Sequence, residues 1–175
     1  MTTQIAFLRA VNVGKRRVPM ATAVSVLERL GFTDVWSYIN SGNLVFDGSG
    51  PRASLEATIG AALEEEFGFE ITTFVRTAAE IRKILAREPF TLADGDTYFI
   101  TFLQAAPREA AARELEACSN DYDTLLVEGR DVHWLMHGLS SATTVSQKKW
   151  RVVGDLSTSR NTTMLRKLVA KIDER

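Results

Sequence analysis

The chain has 175 residues, enough for one compact domain or two tightly fused small ones, and folding at this size buries roughly 70% of the unfolded surface. Hydrophobic residues make up 45% and charged residues 25%, and the formal net charge is −1. No global field therefore recruits nucleic acid or an anionic membrane, and any basic site has to be local. The single cysteine, Cys118, excludes an intramolecular disulfide framework. The first apolar run, residues 5–8, is cut by Arg9 before it reaches the length of a secretory signal, and no stretch approaches the roughly 20 apolar residues of a membrane span. By elimination the expected address is cytoplasmic.

Residues 4–9 read as a first strand around Ile5 and Phe7, followed by a loop over 12–17. Pro19 then suits the first position of a helix, where its missing N–H is no loss. Ala23, Val24, Leu27 and Leu30 give that helix an apolar stripe, and Gly31 stops it. Residues 35–39 and 44–46 are β-rich runs flanking Asn40-Ser41-Gly42-Asn43, a hairpin signal because Gly and Asn tolerate the positive φ of tight turns. After a break at 48–51, Leu55, Ile59, Leu63 and Phe67 mark a second helix that Gly68 ends, and 69–76 reads as a fourth strand. The order is βαββαβ.

A capping box, Thr77 with Glu80, opens the second half, because the two side chains reciprocally satisfy helix-end N–H groups. Its helix carries Ile81, Ile84 and Leu85 and breaks at Pro89. Residues 97–104 alternate as a strand, and Pro107 opens a helix with Ala111, Leu115 and Cys118 inward. Residues 124–127 and 132–136 flank Glu128-Gly129-Arg130-Asp131 as a second hairpin. The β-α-β-β pattern thus recurs, dividing the chain into halves 1–76 and 77–175. The Ser/Thr-rich segment 138–163 reads as a long irregular loop, and Leu165, Leu168, Val169 and Ile172 give a terminal helix. The fold class is α+β with antiparallel sheets.

In a βαββαβ order the first two strands run the same way, and the crossover places the third between them. The loop leaving the first strand and the first hairpin tip then share one rim. That rim collects a helix N-terminus, which suits phosphate or carboxylate, with Arg9, Asn12, Gly14, Lys15, Arg16 and Arg17 on the loop and Ser41, Gly42 and Asn43 on the hairpin. Two readings stand. In one, these residues bind a phosphorylated small molecule or nucleotide. In the other, Gly42 and Asn43 are turn chemistry, Asn12 caps backbone, and the Lys-Arg-Arg run is a solvated loop.

The residues Leu8-Arg9-Ala10-Val11-Asn12-Val13-Gly14-Lys15, Pro19-Met20 and Tyr38-Ile39-Asn40-Ser41-Gly42-Asn43-Leu44-Val45-Phe46, with Thr158-Ser159-Arg160-Asn161 near the end, resemble the signatures of the family known as domain of unknown function 1697. The resemblance implies two intertwined ferredoxin-like halves and no activity. Ala10 and Lys15 stand where glycines are usual in that family, and Thr162 where tryptophan is usual. Arg160 and Asn161 match the closing signature and are candidates to join the rim.

No cofactor or metal is called for. There is no P-loop and no dinucleotide fingerprint. His133 and His137, four apart on a strand, sit about 13 Å from each other, too far to share a zinc. Cys118 lies on an apolar stripe, and Trp150 between Lys149 and Arg151 reads either as a base-stacking ring or as an apolar anchor. Three function classes follow: a phosphate-ligand binding module, a nucleic-acid binder, or an enzyme acting on phosphate or acyl groups with no identified acid–base pair.

Overall fold

A computed structural model describes all 175 residues, which divide into two compact units, Met1–Lys83 and Ile84–Arg175. The first contains β1 (Thr2–Leu8), α1 (Met20–Arg29), β2 (Thr33–Ser37), β3 (Asn43–Gly48), α2 (Arg52–Phe67) and β4 (Thr73–Thr77), and α3 (Ala78–Arg87) follows across the division. The sheet order is β2-β3-β1-β4 with every neighbour antiparallel. This is the ferredoxin-like arrangement, with β3 between β1 and β2.

Strand periodicity explains the packing of this unit. Ala6 and Leu8, Leu44 and Phe46, and Val75 turn the same way from their strands and meet Ala23, Val26 and Leu27 of α1 and Leu55, Ile59 and Leu63 of α2. Gly68 then ends α2 in a left-handed conformation, φ +79°. Several boundaries differ from expectation: β2 is Thr33–Ser37 rather than 35–39, and β4 starts at Thr73 rather than at 69. Pro19 caps α1 from outside the helix rather than starting it. Val26 takes the inward place expected of Leu30, which is 37% exposed at the frayed end. The Thr77–Glu80 capping box is formed, with the Thr77 amide donating to Glu80 Oε2 at 2.7 Å and the Glu80 amide to Thr77 Oγ1 at 3.0 Å.

The second unit repeats the order with β5 (Thr97–Leu103), α4 (Glu109–Glu116), β6 (Asp123–Glu128), β7 (Asp131–Met136), a short α5 (Gln147–Trp150), β8 (Ser157–Asn161) and α6 (Thr162–Glu174), in sheet order β6-β7-β5-β8. The segment expected to be an irregular loop is therefore structured. It holds two 3-10 turns, Ser140–Ala142 and Arg151–Val153, then α5, and ends in the edge strand β8. β8 carries no apolar alternation because its inward residues are polar: Thr158 and Arg160 are each 8% exposed. Cys118 lies just past the end of α4, half-buried and packed against the second core with Leu115. No helix is long and apolar enough to cross a membrane.

Two groups hold the irregular crossover onto the second sheet. Trp150 is buried, its ring 5.0 Å from that of Trp134, so it serves as an anchor and offers no face to a base. The fully buried Asp123 accepts from Trp134 Nε1 at 2.8 Å, Thr143 Oγ1 at 2.6 Å and the Thr144 amide at 3.2 Å. Burial alone would raise this carboxyl, but the converging donors outweigh it and hold it below the usual carboxylate range. A group whose folded pKa is depressed stabilises the fold above its unfolded pKa, and that contribution is lost as pH falls through the folded value. Replacing Asp123 by Ala should cost about 2–4 kcal/mol by leaving buried donors unpaired. In urea unfolding, Asp123→Asn should lose less stability than the wild type between neutral and acidic pH.

Candidate functional site

The rim at the end of β1 is built by local chain chemistry. Leaving β1, the backbone turns through left-handed residues Ala10, Asn12 and Gly14 (φ +55°, +57° and +55°). Asn12 tolerates this region better than most residues because its short polar side chain bonds locally. Here it bonds on both sides. Its Oδ1 accepts from the Val18 amide at 2.9 Å, and its Nδ2 donates to the Val18 carbonyl at 3.0 Å and, across 28 residues, to the Asn40 carbonyl at 2.7 Å. The loop and the hairpin tip are thereby tied together. A second tie runs from the Leu8 amide to the Gly42 carbonyl at 2.8 Å.

Gly42 is demanded by that approach. Its φ is +86°, and a Cβ there would stand 2.6 Å from Val11 Cγ2 and 2.9 Å from Leu8 Cβ. Asn43, expected at the turn, is instead the fully buried first residue of β3. Its amide donates back to the Tyr38 carbonyl at 2.9 Å and to Ser41 Oγ at 3.0 Å. The tip is the five residues 38–42 between β2 and β3, and its positive φ angles fall on Ile39 and Gly42.

The cations divide into those engaged and those available. Arg16 is half-buried, its guanidinium 4.7 Å over the Phe69 ring and bonded to the Glu70 carbonyl. Arg9 is half-buried, with its amide on the Thr72 carbonyl at 3.0 Å. Lys15 and Arg17 are exposed and have no carboxylate partner, and the nearest acceptor to Arg17 is the Asn12 carbonyl at 3.5 Å. Gly14 is exposed and serves the turn's φ, and Ser41 is exposed beside Asn43. Arg160 and Asn161 belong to the second unit. Arg160 is buried in β8, its guanidinium donating to Thr158 Oγ1 at 2.8 Å and its pKa pulled down to about 10 by burial. Asn161 caps α6 by accepting from the Thr163 amide at 2.8 Å.

Between the tied turns and the start of α1 lies an open cleft of about 410 Å³, lined by Asn12, Arg17, Val18, Pro19, Met20 and Asn40. Sequence reasoning did not single out Asn40, Val18, Pro19 or Met20 as site residues. α1 begins here with no side-chain cap and no acidic residue in its first turn. The Thr22 amide turns back onto the Pro19 carbonyl at 3.1 Å, so the Met20 and Ala21 amides are what the first turn leaves uncapped, at the positive end of a dipole worth about half an elementary charge.

A second polar cluster lies in the other unit. His133, 1% exposed, faces the Tyr98 hydroxyl with Nδ1 at 2.5 Å and Glu128 Oε2 with Nε2 at 3.3 Å, and Glu128 is paired with Arg87 at 2.7 Å. Burial lowers the imidazole pKa against the opposing pull of Glu128, and burial raises the Tyr98 phenol to about 12. A neutral His133 that accepts from Tyr98 and donates to Glu128 ties β5, β6 and β7 together. No serine joins it.

A family model described as "Protein of unknown function (DUF1697)" matches residues 1–133. No curated protein matches the chain. Among solved structures, the conserved bacterial protein SP0830 from Streptococcus pneumoniae is similar, with 20% identity and a TM-score of 0.75 over 99% of each chain. At that identity the likeness establishes the fold. No group of three or more His, Cys, Asp or Glu residues is placed to hold a metal ion.

The tie makes a stability prediction. Gly42→Ala forces both strain and a clash and should cost about 2 kcal/mol or more. Asn12→Ala leaves the Val18 and Asn40 groups unpaired and should cost about 1–3 kcal/mol. Chemical denaturation with an unchanged m-value would measure both.

Proposed function

We propose that this chain, which belongs to the family of unknown function DUF1697, is a binding module whose rim cleft takes a small molecule through its phosphate group. One observation carries the reading: the cleft combines the uncapped start of α1 with the exposed guanidinium of Arg17, which has no carboxylate partner. Helix N-termini hold anions through aligned amides, and a guanidinium adds charge-assisted, bidentate hydrogen bonds to phosphate oxygens. The turns that form the walls are preorganised by Asn12 and Gly42, so little ordering remains for the ligand to impose. Lys15, exposed on the same loop, adds long-range attraction that salt screens. The lining contains no carboxylate, histidine or cysteine, so the chemistry on offer is retention of a ligand and not turnover.

Arg17→Ala should weaken binding of phosphate esters by tenfold or more, the equivalent of about 1.5–3 kcal/mol for a hydrogen bond to a charged group. Its exposed side chain supports no packing, so the melting temperature without ligand should stay within about a degree or two of wild type. Thermal shift and titration calorimetry against a panel of phosphorylated metabolites, at low and high salt, would measure this. If no phosphate-bearing compound stabilises the wild type, or Arg17→Ala binds as well as wild type, the reading fails.

A further inference from the structure

We infer that His133 is an acid-sensitive latch on the start of β5: a proton added to its buried imidazole releases the Tyr98 hydroxyl and frees the segment 88–96 that Tyr98 anchors. A neutral imidazole has one N–H and one bare nitrogen. Ionised Glu128 can only accept, so the hydrogen sits on Nε2, which faces Glu128 Oε2 at 3.3 Å. The bare Nδ1 then takes the Tyr98 hydroxyl at 2.5 Å. A second proton has no place in this scheme. Added at Nδ1, it turns an acceptor into a donor, and Tyr98 has no other acceptor for its own hydrogen. Two donors would then face each other where His133 is 1% exposed and Tyr98 7%.

The surrounding charges do not remove that conflict. Burial is the largest influence on His133 and keeps the ring neutral. Glu128 and Asp131 pull the other way, and Arg87, held on Glu128 at 2.7 Å, opposes a second positive charge. The buried Arg160 guanidinium belongs to the same face of the sheet. Ile100 pairs with His133 on one side and with Arg160 on the other, which sets the two positions about 10 Å apart. Beside Tyr98, Arg166 of α6 and Glu88 act in opposite senses and leave burial in control.

Tyr98 is what the latch holds. Phe90 lies edge-on to its ring with centroids 5.3 Å apart, and Thr162 at the start of α6 donates to its carbonyl at 3.0 Å. Phe90 belongs to the link 88–96 between α3 and β5, and that link begins under strain, with Glu88 at φ +40° ahead of Pro89. Such a conformation persists only where its surroundings over-determine it. Here they are the Phe90–Tyr98 contact and Arg166, whose guanidinium donates to the Leu85 carbonyl at 3.2 Å and to Glu88 Oε1 at 3.3 Å. Releasing Tyr98 removes one of the two. A histidine kept neutral by burial stabilises the fold above its unfolded pKa, and that contribution is lost as pH falls through the lower folded value. Asp123, a carboxyl held below its usual range, acts only in stronger acid.

The experiment is NMR titration of the full chain from about pH 7.5 to about pH 4.5, with amide hydrogen exchange, for wild type and His133→Gln. Glutamine keeps a neutral donor and acceptor but cannot take the proton, and loss of the His133 ring signal in that variant assigns it. In wild type, His133 should titrate below the ordinary histidine range, and the Tyr98 ring signals should move with the same midpoint. Protection of the amides at the start of β5 should fall about threefold or more across that midpoint. His133→Gln should show no such step. It leaves the exposed His137–Asp96 pair, 3.0 Å apart, in place, so the difference belongs to His133. A His133 that takes no proton in this range, a Tyr98 that does not move with it, or an equal loss of protection in His133→Gln overturns the latch. Should His133→Gln fail to fold, agreement of the His133 and Tyr98 midpoints in wild type supports the latch and disagreement overturns it.

Discussion

Asn12 joins two turns that regular secondary structure alone would leave apart. The register of β1 on β3 ends at the pair Phe7 and Asn43, and beyond it the loop 9–19 and the tip 38–42 have no ladder to share. What bridges them is one carboxamide satisfied on both sides, reinforced by the Leu8 amide on the Gly42 carbonyl. Each such bond contributes only about 1 kcal/mol net, but a buried or half-buried group left unpaired costs more than that. The tie is therefore stronger against breakage than its net worth suggests. The cleft exists because these turns are held at a fixed spacing from the start of α1.

Charge acts on this frame locally. The chain as a whole is nearly neutral, at −1, yet the stretch Arg9, Lys15, Arg16 and Arg17 contains no acidic residue from 9 to 19. Folding then sorts these cations by role. Arg16 lays its flat guanidinium on Phe69 and a main-chain carbonyl, which helps fix the loop against the segment that leads into β4. Such stacking is a use to which a lysine is poorly suited. Lys15 and Arg17 remain in water without a carboxylate. The field at the cleft mouth is set by those two and by the helix start, and it weakens steeply beyond a Debye length of about 8–10 Å.

Much of the architecture is legible in the sequence because local signals agree there. The 3.6-residue stripe of Leu55, Ile59 and Leu63, the Thr77–Glu80 box and the Gly129 turn each specify their own element. The shared rim also follows from the order of strands and helices. β8 is not legible, since Thr158 and Arg160 fill inward positions that periodicity expects to be apolar. Nor is the membership of the site. The sequence displays the polar side chains near the rim but not which of them the fold itself consumes. Asn12 and Asn43 are spent on the turns, Arg16 on Phe69, and Asn161 on capping α6. Asn40, two positions before Gly42, keeps its side chain in water, and nothing in the sequence separates a carboxamide spent on a turn from one that is not.

The internal repeat gives a further reason to place the proposed ligand site at this rim. Both units use one strand order, β2-β3-β1-β4 and β6-β7-β5-β8. Where the fold needs only a connection, the second unit supplies a short one: five residues, 104–108, from β5 to α4, and two, 129–130, across its hairpin. The corresponding links of the first unit are eleven residues, 9–19, and five, 38–42. Extra loop length carries an entropic cost of closure, and three non-glycine residues in this pair of loops, Ala10, Asn12 and Ile39, are held at positive φ. Ile39 is β-branched, which makes that conformation costly, and it remains 52% exposed. The second unit shows that the topology closes without such loops. Length and strain concentrated where topology does not require them point to a use other than folding, and retention of a ligand between the two loops supplies one.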